Sequence, residues 1–246
     1  MSNQNHLGQP IGAPLPEWSG AREPDRTTMQ GTRCRLEALD VSRHAAPLHA
    51  AYREDREGGN WTYLPYGPFE ELEEYSEFID GIQRVGDALF FAIIDLASET
   101  PVGVASYLRV TAAMGSIEVG HLSYSPLLQK TPISTEAMYL MMKRVFDDWG
   151  YRRYEWKCDC LNAPSVAAAK RLGFRYEGLF RNQVVMKGRS RDTAWFSITD
   201  DEWPEIRKAM ESWLETENFD SGGRQLKRLG DFMPETAGRS IVVNAT

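Results

Sequence analysis

The chain has 246 residues, 42% of them hydrophobic and 11% aromatic, and carries a formal net charge of −7. That length suits one domain with extensions better than two full domains, and the apolar share is that of an ordinary globular core. An acidic balance argues against non-specific nucleic-acid binding, which needs a basic footprint. No apolar run approaches the ~18 residues of a membrane span and the start MSNQNHLGQP lacks a signal-peptide core, so a cytoplasmic protein is expected, with no membrane partner.

Three cysteines cannot make a paired framework. Cys158 and Cys160 stand in C-x-C spacing without a nearby histidine, which predicts buried small residues and no metal site. Charge is spread unevenly: Lys143 to Arg191 holds 12 Lys and Arg against 5 Asp and Glu, a net of +7 that leaves −14 elsewhere. A basic half suits a phosphate-rich ligand; a solvated surface with clustered charge is the competing reading.

In chain order, residues 1–31 hold Pro10, Pro14, Pro16 and Pro24 without periodicity and read as an extended arm, with Trp18 able to pin it to the domain. Arg33–Leu39 alternates as a first strand. Val41–Arg56 reads as a helix with Ala45, Leu48, Ala51 and Tyr52 on one face and Pro47 in its first turns. The segment Trp61–Phe69 is too rich in Pro and Gly to be regular, yet its aromatic rings must be buried. Glu70–Arg84 is amphipathic, with Leu72, Tyr75, Phe78, Ile79 and Ile82 under a sheath of acids. Leu89–Leu96 and Pro101–Val110 form a hairpin, and Ile117–Tyr124 extends it to a three-stranded meander.

Thr131 and Pro132 then start a helix whose stripe runs through Met138, Met141, Met142, Val145, Phe146 and Trp149 until Gly150. Tyr154, Trp156, Cys158 and Cys160 alternate with Glu155, Lys157 and Asp159 in a strand that ends at the N-cap Asn162. Pro164 fits the first turn of the next helix, a slim one with Ala167, Ala168, Ala169 and Leu172, which Gly173 ends. Small side chains let that helix lie close to a sheet or to a ligand. Phe174–Lys187 and Asp192–Ile198 pair as the last strands, and Trp203–Trp213 is a terminal amphipathic helix. Past Glu217 the polar chain reads as a mobile tail, giving divisions at 1–31, 32–215 and 216–246.

The junction Asn162-Ala163-Pro164-Ser165, followed by Arg171-Leu172-Gly173-Phe174 and Glu177-Gly178, resembles the GCN5-related N-acetyltransferases, specifically their RimJ/RimL-like branch. The resemblance runs from about Thr32 to Trp203 and is most specific between Glu118 and Phe180. It implies an α+β fold, a mixed and mainly antiparallel twisted sheet flanked by helices, with an acetyl-CoA slot between the Ile117 and Tyr154 strands. It further implies that the Ile117 strand bulges away from its neighbour, so that the backbone of His121, Leu122 and Ser123 pairs with the pantetheine arm. Asn162 and Ser165 would flank that arm. A helix-capping role without ligand is the plainer reading of both.

The family's pyrophosphate loop carries a Gln or Arg followed by glycines at the third and fifth positions beyond it. Here Gln129 is followed by Pro132 and Ser134 at those places, and a proline has no amide hydrogen to offer. Lys130 and the hydroxyls of Thr131 and Ser134 are the replacement donors, at a helix start that favours anions. Glu118 is the candidate to take the amine's proton, against a plain strand glutamate. The family's tyrosine that protonates the departing sulfur is absent, its place taken by Ala169, which leaves Ser165, Tyr124 or water. The loop Trp61–Phe69, with Glu70, Glu71, Glu73, Glu74 and Glu77 close by, would wall the acceptor pocket; a solvated helix face is the alternative for the acids.

The reading is direct transfer of an acetyl group to a primary amine, of a protein N-terminus or a small molecule. Two alternatives stay open: a non-catalytic CoA-binding sensor or scaffold of the same fold, and a protein-interaction module built on the aromatic loop. Nothing in the pattern fixes the oligomeric state.

Overall fold

In the computed structural model, which describes residues 3–84 and 86–234, the strands are β1 (Met29–Gln30), β2 (Cys34–Ala38), β3 (Leu89–Asp95), β4 (Thr100–Thr111), β5 (Ser116–Tyr124), β6 (Arg153–Asp159), β7 (Arg175–Met186) and β8 (Arg189–Thr199). They form one sheet in the order β1-β2-β3-β4-β5-β6-β8-β7. Every neighbouring pair is antiparallel except β5 and β6, which run parallel. The helices are α1 (Val41–Tyr52), α2 (Leu72–Arg84), α3 (Pro132–Lys143), α4 (Ala163–Arg171) and α5 (Trp203–Leu214). This is the expected α+β mixed sheet flanked by helices.

The alternation in β6 decides which face meets which core. Tyr154, Trp156 and Cys158 are buried, while Arg153, Glu155 and Lys157 are half-buried on the opposite face. The first set joins a large core with Met138, Met141 and Met142 of α3, Leu172 after α4, and Trp203, Ile206 and Met210 of α5. A second core, on the other face, gathers Ala45, Leu48 and Tyr52 of α1, Tyr75 and Ile79 of α2, and Phe90, Ala92, Ile94 and Val104 of β3 and β4. The central strand β4 is therefore buried from Pro101 to Leu108.

Two expectations are corrected. The first helix ends at Tyr52 rather than Arg56, because Arg53 closes it by donating its amide to the His49 carbonyl before a turn leading to Gly58 at φ 68. Pro47 also lies inside that helix, not in its first turns. The apolar stripe, anchored by the Asp40 cap on the Arg43 amide at 3.0 Å, outweighs the one backbone bond that proline forfeits. The α3 stripe does continue to Trp149, but its last turn, Arg144–Asp148, is a π-helical one.

The strand pair β1–β2 begins ahead of the expected start of the domain, and its turn is held by a side chain from α3. The buried carboxylate of Glu136 accepts the amides of Thr32, Arg33 and Cys34 at 3.1, 2.7 and 2.7 Å, and the Thr32 hydroxyl at 2.7 Å. Gly31 is required beside it, since a Cβ there would lie 2.6 Å from a carboxylate oxygen. Farther out on the arm, Trp18 donates its indole N–H to the Ala113 carbonyl at 3.0 Å. At the other end Asn218 and Leu229 are buried; residues 235–246, with the Ile241–Val243 stretch, lie outside the described residues.

Glu136→Ala should leave the buried Cys34 amide and the part-buried amides of Thr32 and Arg33 without their acceptor and cost about 2 to 4 kcal/mol, since an orphaned buried donor costs ~1–3 kcal/mol and a part-buried one less. Chemical denaturation of the two chains side by side reads the loss directly.

Candidate active site

The parallel pair β5–β6 is joined over only four registered positions, Ser116–Arg153 to Val119–Trp156. Both strands go on, β5 to Tyr124 and β6 to Asp159, without further pairing between them. The cause is local. Ser106 of β4 pairs with Gly120 and Val104 pairs with Ser123, so Ala105 alone faces both His121 and Leu122. This is a β-bulge, with His121 at φ 50, and a bulge bends its strand and sharpens the twist. Beyond it β5 follows β4, β6 follows β8, and a fork opens between them.

Each prong ends in a helix start. Gln129 donates to the Tyr124 carbonyl at 2.8 Å and to the Asn60 side chain at 3.3 Å, closing the turn after β5. Lys130 follows, exposed and at φ 60, and then Thr131 caps α3: its hydroxyl donates to the Leu128 carbonyl at 2.7 Å and accepts the Ser134 amide at 3.4 Å. The Ser134 hydroxyl returns to the Thr131 carbonyl at 2.7 Å. On the other prong Asn162 caps α4 by accepting the Ser165 amide at 3.1 Å, a bond of the kind worth about 1 kcal/mol. Ser165 in turn accepts the indole N–H of Trp156, the last β6 residue paired with β5, at 3.0 Å. Its own hydroxyl bonds the Cys158 thiol, opposing the rise that burial gives that group.

Below the fork, on the face away from α3, a chain of ion pairs crosses the sheet. Glu118, 3% exposed, meets Arg109 at 2.6 Å and Lys157 at 2.8 Å; Lys157 also meets Glu155 at 2.8 Å, and Arg153 links Glu155 and Glu177 at 2.7 and 2.5 Å. Lys157 lies 3.7 Å from the centre of the Trp195 ring. Glu118 is therefore no plain exposed strand glutamate, since cations claim both its oxygens. The basic character of Lys143–Arg191 is partly spent in the same way, as with Arg144 on Asp148 and Arg175 on Glu202.

The aromatic segment Trp61–Phe69 buries Trp61 and half-buries Tyr63, Tyr66 and Phe69. Trp61 is 5% exposed and packs edge-on against Tyr52 and Phe69, and Tyr66 lies 4.3 Å from Phe78, centre to centre. Gly67 at φ 67 permits this, because a Cβ there would sit 2.5 Å from the Trp61 ring. The segment also reaches the fork: Tyr66 stacks on His121 with its hydroxyl 3.2 Å from Nδ1, and Tyr63 donates to the Leu161 carbonyl at 3.0 Å. Glu70, Glu71, Glu73, Glu74 and Glu77 are exposed, in keeping with a solvated face of α2.

The structure thus brings His121, Leu122, Ser123, Gln129, Asn162, Ser165 and Glu118 around one fork. Tyr124 is at its edge, but its hydroxyl is buried and has no partner among the described residues; burial pushes its ionisation well up. Cys158 is buried beside Ser165, and burial raises its thiol as well, which does not suit a nucleophile. Tyr63 and Tyr66 belong to the loop expected to wall the acceptor pocket, whereas the sequence gives Lys157, Arg109 and Asn60 no site role. Strand parity puts Lys157 with Glu155, but its meeting with Glu118 needs the β5–β6 register, which no local pattern carries.

The comparisons agree with this geometry. The profile of the acetyltransferase (GNAT) domain matches residues 33–175. A crystal structure of a GCN5-related N-acetyltransferase from Brucella melitensis is 43% identical, with a TM-score of 0.87 over 89% of this chain and 99% of that one. The uncharacterized N-acetyltransferase p20 of Bacillus licheniformis is 26% identical over 57% of this chain and 80% of its own length. A Salmonella typhimurium acetyltransferase that modifies the N-terminal serine of ribosomal protein L7/L12 shares the fold at 20% identity and a TM-score of 0.60, over 70% of this chain and 99% of that one. The fold is that of an acetyltransferase domain. The chain belongs to the GCN5-related N-acetyltransferase family and is an N-acetyltransferase.

His121 gives a prediction on pH. Burial, with Arg109 nearby, lowers its proton affinity below the ordinary 6.5, Asp87 opposing; His44 is lowered likewise by burial and Arg43, Glu37 and Asp40 opposing. The unfolded chain therefore takes up these protons first, so their stability contribution is complete above about pH 6.5 and drains away as pH falls toward the folded values. Thermal midpoints should drop between pH 7 and pH 5, and His121→Gln should flatten that slope.

Proposed function

We propose that acetyl-CoA lies in the fork, its pantetheine arm along the backbone of His121, Leu122 and Ser123, and that a primary amine enters from the face of Glu118 and Tyr66. The observation that carries this reading is the ladder that stops at Val119 and Trp156 while both strands continue. Main-chain groups facing that gap are oriented as a third strand would need them, and an amide held there can receive the oxyanion of the attacked thioester. Fixing both reactants on either side of one sheet supplies much of the remaining rate gain.

At the α3 start Lys130 is the side chain left to meet the cosubstrate's phosphates, since Thr131 and Ser134 give their hydroxyl protons to the carbonyls of Leu128 and Thr131, and Gln129 holds the turn. Asn162 orients the α4 prong. Glu118 receives the amine's proton through a water, since its oxygens are engaged by Arg109 and Lys157. Ser165, at the α4 start, is preferred to Tyr124, whose hydroxyl is buried, to protonate the leaving thiolate. The acceptor is a protein N-terminal amine or a small amine. Among the described residues no helix is long and apolar enough to cross a membrane, and a cytoplasmic location accords with that. An N-terminal arm to residue 31, a catalytic body to 215 and a C-terminal extension remain the proposed divisions.

Thiol release from acetyl-CoA against a panel of amines tests the reaction. Turnover with at least one amine is expected, falling tenfold or more in Ser165→Ala and in Glu118→Gln, the usual scale for losing a proton-transfer group. Saturable CoA binding without release across the panel would instead make the chain a sensor or scaffold, the alternative that the missing loop glycines favour. Acetyl-CoA at 100 times its Kd should stabilise the fold by about 2.7 kcal/mol, less at the same concentration in Asn162→Ala; no stabilisation at any concentration would point to the interaction module.

A further inference from the structure

The segment 59–69 has one short 3-10 turn, Gly59–Trp61, and otherwise no ladder or helix to satisfy its carbonyls. Three of them converge. The ammonium of Lys187 donates to the carbonyls of Trp61, Tyr66 and Gly67 at 2.9, 3.2 and 3.0 Å. An ammonium has three donors, and here all three are used on one irregular segment. Lys187 is placed for this by the β7–β8 turn, whose two central residues, Lys187 and Gly188, have φ of 49 and 72, the pair of positive values that makes a tight two-residue hairpin.

The other ties of this segment lead to the fork itself. Tyr66 reaches His121 of the bulge, Asn60 reaches the Ser123 hydroxyl at 3.5 Å and Gln129, and Tyr63 reaches the Leu161 carbonyl just before the α4 cap. The tip of the last hairpin is thus fastened to the segment that stacks on the bulge. We propose that Lys187 is a positioning residue that fixes the 59–69 segment, and Tyr66 with it, as the wall of the acceptor pocket, and so sets the affinity for the amine without touching the cosubstrate. The proposal rests on the catalytic reading above for its kinetic consequence and on geometry alone for the strap.

The test uses the full chain with Lys187→Met, which keeps the alkyl stem, and Lys187→Arg, which keeps the charge. Amide hydrogen exchange in peptides covering 59–69 should quicken about three- to tenfold in the Met variant, the scale of one exposed charge-assisted anchor, and return most of the way in the Arg variant. Peptides from β5 and α3 should be unchanged. With any amine that supports thiol release, the Met variant should raise the KM for amine by a similar factor and leave the KM for acetyl-CoA alone. Unchanged exchange in 59–69 overturns the strap. Faster exchange with an unaltered amine KM overturns its role in acceptor binding. If the wild-type chain turns over no amine, the catalytic reading falls with the kinetic part of this proposal, and exchange alone judges the strap.

Discussion

The site depends on one irregularity, the single extra residue in β5 opposite Ala105. Were β5 regular, the parallel ladder with β6 would run on past Val119 and leave no gap. Parallel strands are suited to such a parting, because the crossover that joins them need not hold their far ends together as a hairpin would. Here the crossover contains α3, and the fork opens at the carboxyl ends of β5 and β6 where the next helices start. The bulge residue is a histidine at positive φ, a conformation that costs energy unless its surroundings enforce it. Packing of His121 between Phe90 and Tyr66 supplies that enforcement.

The ion pairs under the fork serve the same geometry. Glu118 is one residue short of the last paired position on β5 and Lys157 one residue past it on β6, so their contact bridges the two strands where they separate. A buried pair of this sort contributes little net stability, since desolvation offsets attraction, but losing one partner would leave an uncompensated charge. Its value is in fixing an angle. The site therefore joins two kinds of constraint, a backbone defect that opens the strands and a charged contact that limits the opening.

Much of this was legible in the sequence, for reasons that differ by element. Periods of two and of 3.6 residues are local, so β6, α3 and α4 were read close to their ends, and the caps at Thr131 and Asn162 were read because N-cap chemistry lies within three residues. The fork was reached through resemblance; Gly120, next to His121, is a local bulge signal, but it does not say that the neighbouring strand parts there. What stayed hidden depends on register between distant segments, as with Glu136 beneath the Thr32–Cys34 amides or Lys187 against the Trp61 loop. The end of α1 was misplaced because Glu54, Asp55 and Arg56 are neutral about helix continuation, while a backbone turn at Gly58 is not.

The arm at the start of the chain has a further consequence. Trp18 and Ala21 bind the carbonyls of Ala113 and Ala112, and Arg22 binds that of Trp149, while the Gly115 carbonyl receives the amides of Arg152 and Arg153. All these contacts cluster where β5 and β6 first come together, the closed end of the fork. The arm thus acts as a ferrule around the pivot of a pair of tweezers. A segment remote from the helix starts thus braces the two strands at the end where they are joined.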